Sequence, residues 1–271
     1  MLLERFLWAK ADEVARLRQQ ERKGALPVPF SGQRGDFIAA LQRREAGVPL
    51  TVIAEFKQAS PSRGPICRSL TVEEAARQYV AAGAGALSIL TERRFFAGEL
   101  DFLGRAAACC PGTPLLRKDF IFDPLQVRAT AATPAAALLL IVALTPDAAL
   151  LRRLREQAES LGMQAVVEVC GKKDLVLARE SGARIIQVNA RDLDTLRVDR
   201  QACLELARQC PPERGEIWIA ASGMDRREHL EEAARAGFSA ALVGTALMQE
   251  GQPGAALRRL IRGREDGHHA A

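Results

Sequence analysis

The sequence predicts an α/β fold, specifically a (β/α)8 TIM barrel with an N-terminal helical extension, and three observations lead to this prediction. Eight short apolar runs alternate with longer stretches in which apolar residues recur at helical spacing. The runs are rich in Val, Ile and Leu without strict alternation, which is typical of parallel strands buried on both faces. Eight strand and helix units in about 220 residues match the size of such a barrel.

The residues before the first run form the extension. Residues 1–45 carry Leu3, Phe6, Leu7, Val14 and Leu17 roughly on one helical face. We expect this piece to pack over one end of the barrel. Residues 50–265 then form the barrel itself, and residues 1–271 make up a single domain.

The eight runs define the predicted strands in chain order. They are Thr51 to Phe56, Ala86 to Leu90, Pro114 to Leu116, Ala135 to Ala143, Ala165 to Val169, Arg184 to Val188, Glu216 to Ala220 and Ala240 to Val243. A doubly wound open sheet is the alternative that periodicity leaves open. It is disfavoured because EFKQASPS, at Glu55 to Ser62, follows the first run where a dinucleotide-binding sheet would carry G-x-G-x-x-G.

Composition argues against several classes of protein. Hydrophobic residues make up 48% and charged residues 26%, as in a globular protein rather than a disordered one. The most apolar stretch, Pro134 to Leu144, is shorter than the roughly 18 residues of a membrane span, so no membrane association is expected. The net charge of +5 is interspersed with acids, and one Tyr and two Trp are poor material for stacking on bases, so no nucleic-acid partner is expected.

The N-terminus and the cysteines predict a cytoplasmic protein. Charges at Glu4, Arg5 and Lys10 interrupt the apolar centre that a secretory signal requires. Six cysteines occur without a C-x-x-C pair in a chain large enough to fold without disulfides. We therefore expect reduced thiols.

Polar residues that close the runs are the candidate site, because the active sites of such barrels form at the carboxyl ends of the strands. They are Glu55 and Lys57 of the first run, Arg117, Lys118 and Asp119 of the third, Glu168 of the fifth, Asn189 and Arg191 of the sixth, Ser222 and Gly223 of the seventh, and Gly244 and Thr245 of the eighth.

Two lysines and two glutamates in this set can perform acid–base chemistry. Charged residues at buried strand ends are costly unless they are paired or hold a ligand, so Glu55, Lys57, Lys118 and Glu168 need one another or a substrate. Such an environment can lower the pKa of a lysine and raise that of a glutamate, as general acid–base catalysis requires. A ring of salt bridges that only closes the barrel end is the structural alternative.

Small residues after the last two runs predict a phosphate site. Ser222-Gly223 and Gly244-Thr245 offer unobstructed backbone N–H groups and hydroxyl donors at the positions where this fold binds phosphate. The histidines are poorly placed for catalysis or for a metal, since His268 and His269 lie in a polar tail and His229 lies in a predicted helix. No metal site is predicted.

Several motifs together resemble the indole-3-glycerol phosphate synthase family, over almost the whole chain. They are WAKADEVARLR in the N-terminal helix, IAEFKQASPSRG at Ile53 to Gly64, LSILTE at Leu87 to Glu92, LLRKDFIFDPLQV at Leu115 to Val127, LGMQAVVEV at Leu161 to Val169, IIQVNARDL at Ile185 to Leu193 and LVGTALM at Leu242 to Met248. The resemblance implies ring closure, decarboxylation and dehydration of 1-(2-carboxyphenylamino)-1-deoxyribulose 5-phosphate. It implies no cofactor, a small sugar-phosphate substrate as partner, and leaves association with other tryptophan-pathway enzymes open.

The resemblance also implies roles for individual residues. Lys118 would be the general acid at the substrate carbonyl, and Lys57 would hold the anthranilate carboxylate and donate a later proton. Glu168 would act as base or stabilise positive charge on the substrate nitrogen, and Glu55 would orient and tune a lysine. Other matched positions would bind the phosphate or line the pocket: Ser60, Gly223, Gly244 and Thr245 for the phosphate, and Leu90, Asn189 and Arg191 for the pocket.

One position departs from the family pattern. The family has S-E-S-G after the seventh strand, whereas this chain reads AASG at Ala220 to Gly223, so Ala221 stands in place of a glutamate. The loss removes a negative charge and a hydrogen-bond acceptor near the substrate. An active synthase is the favoured hypothesis, and a diverged sugar-phosphate enzyme or a non-catalytic phosphate-binding barrel are the alternatives. An acid such as Glu92 or Asp192 would compensate if it entered the space beside Ala221.

Overall fold

The computed structural model describes residues 2–67, 69–192 and 195–263, and it confirms the predicted (β/α)8 barrel. Eight parallel strands close into a barrel in the order β1-β10-β9-β8-β7-β6-β5-β4. These strands are β1 (Thr51–Phe56), β4 (Ala86–Leu90), β5 (Leu115–Ile121), β6 (Ala137–Ile141), β7 (Gln164–Val169), β8 (Ile185–Asn189), β9 (Ile217–Ala221) and β10 (Ala240–Val243). The two short strands β2 (Ala59–Ser60) and β3 (Gly64–Pro65) pair as a separate antiparallel hairpin after β1.

Helices alternate with the barrel strands, as the spacing of apolar residues predicts. They are α1 (Leu2–Arg22), α2 (Phe37–Gln42), α3 (Val72–Ala81), α4 (Arg93–Phe96), α5 (Phe102–Cys109), α6 (Pro124–Ala131), α7 (Ala148–Ser160), α8 (Lys172–Glu180), α9 (Arg200–Gln209), α10 (Arg227–Arg235), α11 (Thr245–Met248) and α12 (Pro253–Arg262). Capping boxes at Thr71 and Asp123 fix where α3 and α6 begin, because each cap satisfies backbone N–H groups that the helix leaves unpaired.

Two strands, β5 and β6, differ from the predicted runs by more than one residue at an end. The third run was predicted to end at Leu116, but β5 continues to Ile121 through the charged segment at Arg117 to Asp119. Its pairing with β6 shifts register between Arg117 and Ile121, a bulge that sequence periodicity does not show. The fourth run was predicted to reach Ala143, but β6 ends at Ile141 and a 3₁₀ turn, Val142–Leu144, follows.

The N-terminal extension contacts both ends of the barrel, whereas one end was expected. At the carboxyl ends of the strands, the Phe6 ring of α1 stacks on Phe120 with centroids 4.1 Å apart. At the amino ends, Phe37 and Leu41 of α2 pack with Ile53 of β1 inside the barrel. Thr51 Oγ1, at the start of β1, donates a hydrogen bond to the carbonyl of Arg43 just after α2. The extension therefore closes the base and also borders the mouth.

Side chains along each strand point alternately into and out of the barrel, and this divides the core into two layers. Inward side chains such as Ile53, Leu116, Val166 and Ile219 fill the barrel, while the outward side chains pack against the helices. The inward positions change from apolar to charged or polar at the carboxyl ends of several strands. This end is called the mouth below.

Some predicted features lie outside the described residues. The side chain of Leu3, the barrel boundary at residue 265 and the pair His268 and His269 belong to this group.

Candidate active site

Alternate strands of the barrel present one inward residue each at the mouth. In barrel order, β1, β5, β7 and β9 carry Glu55, Lys118, Glu168 and Ala221. Inward side chains of alternate strands form common layers in this fold. Three of the four predicted acid–base residues therefore converge on one layer, with Ala221 at the fourth position.

Glu55 and Lys57 form a close pair beside β10. Lys57 Nζ lies 2.8 Å from Glu55 Oε1, and both side chains are largely buried. Burial by itself raises the pKa of the Glu55 carboxyl, but the charges of Lys57 and Lys118 outweigh burial, and the pKa is lowered overall. Glu55 therefore stays ionised and can orient a lysine.

Gly244 makes room for that carboxylate. A Cβ atom at residue 244 would lie 2.3 Å from Glu55 Oε1 and 3.1 Å from Glu55 Cβ. Only glycine leaves Glu55 where it is, so this position has a steric function in addition to the phosphate role predicted for it.

Glu168 receives donors on both carboxylate oxygens. Its side chain is 1% exposed, Gln187 Nε2 donates to Oε2, and Asn189 Nδ2 donates to Oε1 at 3.1 Å. Lys118 Nζ lies 3.7 Å from Oε2, beyond a normal hydrogen bond, and the Lys118 side chain is 19% exposed. Lys118 is thus close to a carboxylate and still open to the mouth.

Asn189 is held by its neighbours at the end of β8. Its Oδ1 accepts hydrogen bonds from Ser222 Oγ at 2.9 Å and from the backbone N–H of Arg191 at 3.0 Å. The loop after β9 is therefore connected to Glu168 through Asn189.

The loop after β9 has an unusual backbone. Ser222 and Gly223 both have positive φ, 66° and 74°. This conformation is uncommon for a residue such as serine and occurs preferentially at functional sites. A Cβ atom at residue 223 would also lie 2.9 Å from Cγ1 of Val198, so glycine is required there.

Two arginines, Arg191 and Arg63, lie near each other at the mouth. Burial, and then the neighbouring positive charge of Arg63, lower the pKa of Arg191. Arg63 lies in the turn of the β2–β3 hairpin, and its Nη1 is 3.4 Å from Oε1 of Gln249 just after α11. Two guanidinium groups near each other favour an anionic ligand.

The remaining predicted residues also lie at the ends of strands. Ser60 of β2 is buried, with its Oγ 3.4 Å from Ser62 Oγ, and Leu90 ends β4 with 5% exposure. Thr245 is the first residue of the short helix α11. The structure thus places every predicted site residue at or next to the carboxyl end of a strand.

Arg117 and Asp119 belong to the opposite face of β5, although the sequence grouped them with Lys118. Arg117 Nη2 is 2.7 Å from Asp119 Oδ2 and 2.9 Å from Glu13 Oε1 of α1. Lys10 of α1 is 2.9 Å from Asp119 Oδ2. Strand alternation supplies the reason, since the neighbours of an inward residue point outward.

The two acids considered as replacements at residue 221 make other contacts. Glu92 accepts hydrogen bonds from the backbone N–H groups of Arg94, Phe95 and Phe96 and so caps α4. Asp192 Oδ1 accepts from the backbone N–H and hydroxyl of Thr195. The polar neighbour of Ala221 in the sheet is instead Asn189, which is paired with it in register.

Sequence reasoning missed Gln187. It lies inside the barrel, fully buried, where its amide donates to Glu168. The signal was present, because Gln187 precedes Asn189 by two residues and must share its face of β8.

Neither His229 nor the acidic residues that the structure describes form a metal centre. His229 Nδ1, on α10, is 2.9 Å from Asp225 Oδ1. Within the described ranges, no group of three or more His, Cys, Asp or Glu side chains is arranged to hold a metal ion.

Comparison with known proteins gives one consistent family. The family model described as indole-3-glycerol phosphate synthase matches residues 3–260. A protein of that name from Chloroherpeton thalassium is 42% identical over 254 residues, covering 91% of this chain and 94% of its own length. Another, from Burkholderia ambifaria, is 36% identical over 261 residues and covers 96% of this chain and 98% of its own length.

Solved structures show the same barrel at low identity. The 3-hexulose-6-phosphate synthase from Salmonella typhimurium has a TM-score of 0.61 and 15% identity, covering 78% of this chain and 96% of its own. The thiamine phosphate pyrophosphorylase from Pyrococcus furiosus has a TM-score of 0.58 and 14% identity, covering 80% and 96%. At these identities the likeness concerns the fold alone.

Proposed function

The chain belongs to the indole-3-glycerol phosphate synthase family, and we propose that the residues at its barrel mouth carry out the reaction of that family. The enzyme is a carboxy-lyase of tryptophan biosynthesis acting on a small sugar phosphate. The substrate, 1-(2-carboxyphenylamino)-1-deoxyribulose 5-phosphate, loses CO2 and one water to give indole-3-glycerol phosphate. The observation that carries the residue assignment is the convergence of Glu55, Lys57, Lys118 and Glu168 at one end of the barrel.

Lys118 is the proposed general acid. Ring closure joins the aryl carbon to the substrate ketone, whose oxygen accumulates negative charge and needs a proton. Lys118 is open to the mouth and is not hydrogen-bonded to Glu168, since the separation is 3.7 Å. Its ammonium group therefore has donors to offer to that oxygen.

Lys57 is the proposed partner of the anthranilate carboxylate, which leaves as CO2. Glu55 fixes the lysine through the 2.8 Å contact and remains ionised, because nearby positive charge lowers its pKa. The same lysine can donate a proton during the later loss of water.

Glu168 is the proposed base, or the anion that stabilises positive charge on the substrate nitrogen. Both of its oxygens accept hydrogen bonds from amide donors, which fix the carboxylate in position. A carboxylate held in this way can interact with a cationic nitrogen without reorganising.

The phosphate end is proposed to lie at the loops after β9 and β10 and at the hairpin after β1. Gly223, Gly244, Thr245 and Ser60 would offer backbone and hydroxyl donors there. The positive charge of Arg191 would offset the charge of the phosphate. Leu90 and Asn189 would line the pocket between the two ends.

Ala221 is consistent with this assignment. Two lysines and two glutamates already balance in charge at the mouth, and Asn189 supplies a polar neighbour in register with Ala221. The family match favours the synthase activity over a diverged sugar-phosphate enzyme or a non-catalytic barrel.

We also propose that residues 1–271 fold as one domain, with residues 1–45 as the extension, and that the protein is cytoplasmic. Among the residues that the structure describes, the cysteines are all free and no helix has the length and apolar character needed to cross a membrane. Thermal unfolding tests the first proposal, which predicts a single transition. Cell fractionation, followed by titration of the thiols, tests the second, which predicts that the protein is found in the cytoplasm with reduced cysteines.

Indole fluorescence tests the proposed function. Purified protein mixed with the carboxyphenylamino-deoxyribulose phosphate should produce a fluorescence increase that saturates with substrate concentration. The dephosphorylated substrate is the matched control. Its KM should be much higher than that of the phosphorylated substrate, because the phosphate contacts are lost. Binding of the phosphorylated substrate without turnover would contradict the assignment and indicate a non-catalytic barrel.

A further inference from the structure

Gln187 occupies an unusual position inside the barrel. It lies on β8 in register with Glu168 on the neighbouring strand β7, and its side chain is fully buried. Its Nε2 donates to Glu168 Oε2, while Asn189 Nδ2 donates to Oε1 at 3.1 Å. Two amides from one strand therefore hold the two oxygens of one carboxylate.

The direction of both amides is determined by their surroundings. Asn189 Oδ1 accepts from Ser222 Oγ and from the backbone N–H of Arg191, so its nitrogen has to face Glu168. For Gln187, a flipped amide would place a carbonyl oxygen against a carboxylate, which repel each other. The nitrogen of Gln187 faces Glu168 for that reason.

This orientation leaves the other end of Gln187 unpaired. Among the described residues no group donates to Gln187 Oε1. A buried acceptor without a partner costs free energy of folding, and this cost offsets the stabilisation that the amide gives by donating to the buried Glu168 carboxylate. Folding stability alone therefore does not account for glutamine at this position.

The contact does account for the state of Lys118. Gln187 is the close donor to Glu168 Oε2, whereas Lys118 Nζ remains 3.7 Å from the same oxygen. Without the amide, this oxygen would attract the lysine into a full ion pair, and the ammonium group would be less available to a substrate.

We propose that Gln187 is a positioning residue that holds the Glu168 carboxylate for the reaction and keeps Lys118 free. This inference rests on the proposed roles of Glu168 and Lys118. Gln187 itself need not touch the substrate, since it acts through the carboxylate.

The separate values of kcat and KM are informative, because Gln187 acts on the proposed reacting groups Glu168 and Lys118. The proposed phosphate contacts lie on other elements, at the loops after β9 and β10. Loss of the amide should therefore lower kcat and leave KM close to the wild-type value.

The test is Gln187→Met, which keeps the length of the side chain and removes the amide. Turnover of the carboxyphenylamino-deoxyribulose phosphate over a range of substrate concentrations and Tm are measured beside wild type. We expect kcat to fall about 10-fold to 100-fold, because a hydrogen bond to a charged group is lost. We expect KM to change by less than about threefold and Tm to change little.

Ile185→Val is the matched control, because Ile185 is also buried and faces inward on β8 without a polar contact. It should lower Tm slightly and leave kcat and KM close to wild type. A Gln187→Met enzyme with wild-type kcat would overturn the proposal, and so would a variant that fails to fold or loses several degrees of Tm. Absence of turnover in wild type itself would instead refute the proposed function.

Discussion

Two clusters of buried charge lie on opposite faces of the same strand, β5, and they are built differently. The outer cluster joins Arg117 and Asp119 to Lys10 and Glu13 of α1. The inner cluster joins Lys118 of β5 to Glu168, with Glu55 and Lys57 nearby. One strand of seven residues thus contributes to both.

The outer cluster satisfies its own charges. The side chains of Arg117 and Asp119 are 1% and 0% exposed, and Thr91 Oγ1 adds a 2.5 Å hydrogen bond to Asp119 Oδ2. Burial by itself raises the pKa of the Asp119 carboxyl, but the charges of Arg117 and Lys10 outweigh it and lower the pKa well below its usual range. Such a cluster has no donor left for a ligand, and it fastens α1 to the barrel.

The inner cluster leaves its lysines accessible. Lys57 and Lys118 are 13% and 19% exposed, and Lys118 lies beyond hydrogen-bonding distance from Glu168. The two sets of ion pairs therefore differ in the access to their cations: Lys10 and Arg117 of the outer cluster are almost fully buried, whereas the lysines proposed to act on the substrate are partly open to the mouth.

The largest effect is expected from Lys118→Met. This substitution removes the proposed general acid while Glu168 keeps its two amide donors, so the fold should tolerate it. We expect kcat to fall about 10²-fold to 10⁴-fold, as for loss of a general acid, with little change in Tm. Steady-state kinetics and thermal unfolding measured together check this. Turnover within a few-fold of wild type would remove Lys118 from the chemistry.

Asp119→Asn should break the outer cluster and act on stability. We expect a loss of about 3 kcal/mol in the free energy of unfolding at pH 7, because Lys10 and Arg117 each lose one of their two carboxylate partners and keep only Glu13. Folding lowers the pKa of Asp119 from 3.8. The stabilisation that ionised Asp119 gives to the folded state is therefore fully present above pH 3.8 and is lost as the pH falls below this value. The difference in the free energy of unfolding between wild type and Asp119→Asn should therefore become smaller below about pH 4.

Urea unfolding at pH 7 and pH 3 measures this gap. Arg18→Ala is the control, since Arg18 also links α1 to the barrel helices, by an exposed 3.1 Å contact with Asp123. It should cost less than about 1 kcal/mol. A gap for Asp119→Asn that is equal at both pH values would contradict the importance of the Asp119 charge.

Gly244→Ala tests the contact between Glu55 and Lys57 in the inner cluster. The backbone at residue 244 has a negative φ, −126°, and the substitution acts through the new Cβ atom, which would collide with Glu55. We expect kcat to fall about 10-fold to 100-fold as Glu55 is displaced from Lys57. Gly171→Ala is the matched control at the end of β7, because nothing lies within 4 Å of its Cβ position. Equal kinetics for the two variants would argue against the Glu55 contact.

Ala221→Glu should have the smallest effect. It adds a carboxylate at a site that is 3% exposed, next to a cluster whose charges are already balanced. We expect Tm to fall by about 2–4 °C, from the cost of burying an unpaired charge, and kcat not to rise. Thermal unfolding and kinetics measure both. A severalfold increase in kcat would show that the native mouth lacks a carboxylate that it needs.

Much of the fold was predictable from the sequence. The periodicity of apolar residues predicted the barrel, because buried parallel strands such as Ala137–Ile141 are apolar throughout. The course of the extension was not predictable, since packing at the base depends on Phe37 and Leu41, which belong to a helix of six residues. The bulge in β5 depends on pairing with β6 and leaves no periodic signal.

The sequence predicted which residues form the candidate site but not the hydrogen-bond partners of those residues. Motifs placed Glu55, Lys57, Lys118 and Glu168 together, as the structure does. Side chains alternate between the two faces of a strand. On β5 this rule would have separated Arg117 and Asp119 from Lys118, and on β8 it would have added Gln187 to the predicted site residues. The donors to Glu168 required the register between β7 and β8, which one sequence does not contain.

The most direct test of the difference between the two clusters compares Lys10→Met with Lys118→Met. Both remove one lysine charge and keep the length of the side chain, one from the outer cluster and one from the inner. Tm and kcat are measured for both in the same buffer. We predict that Lys10→Met lowers Tm and largely retains kcat, whereas Lys118→Met retains Tm and loses kcat. The reverse pattern, or equal losses of both quantities in the two variants, would contradict the assignment of one cluster to stability and the other to catalysis.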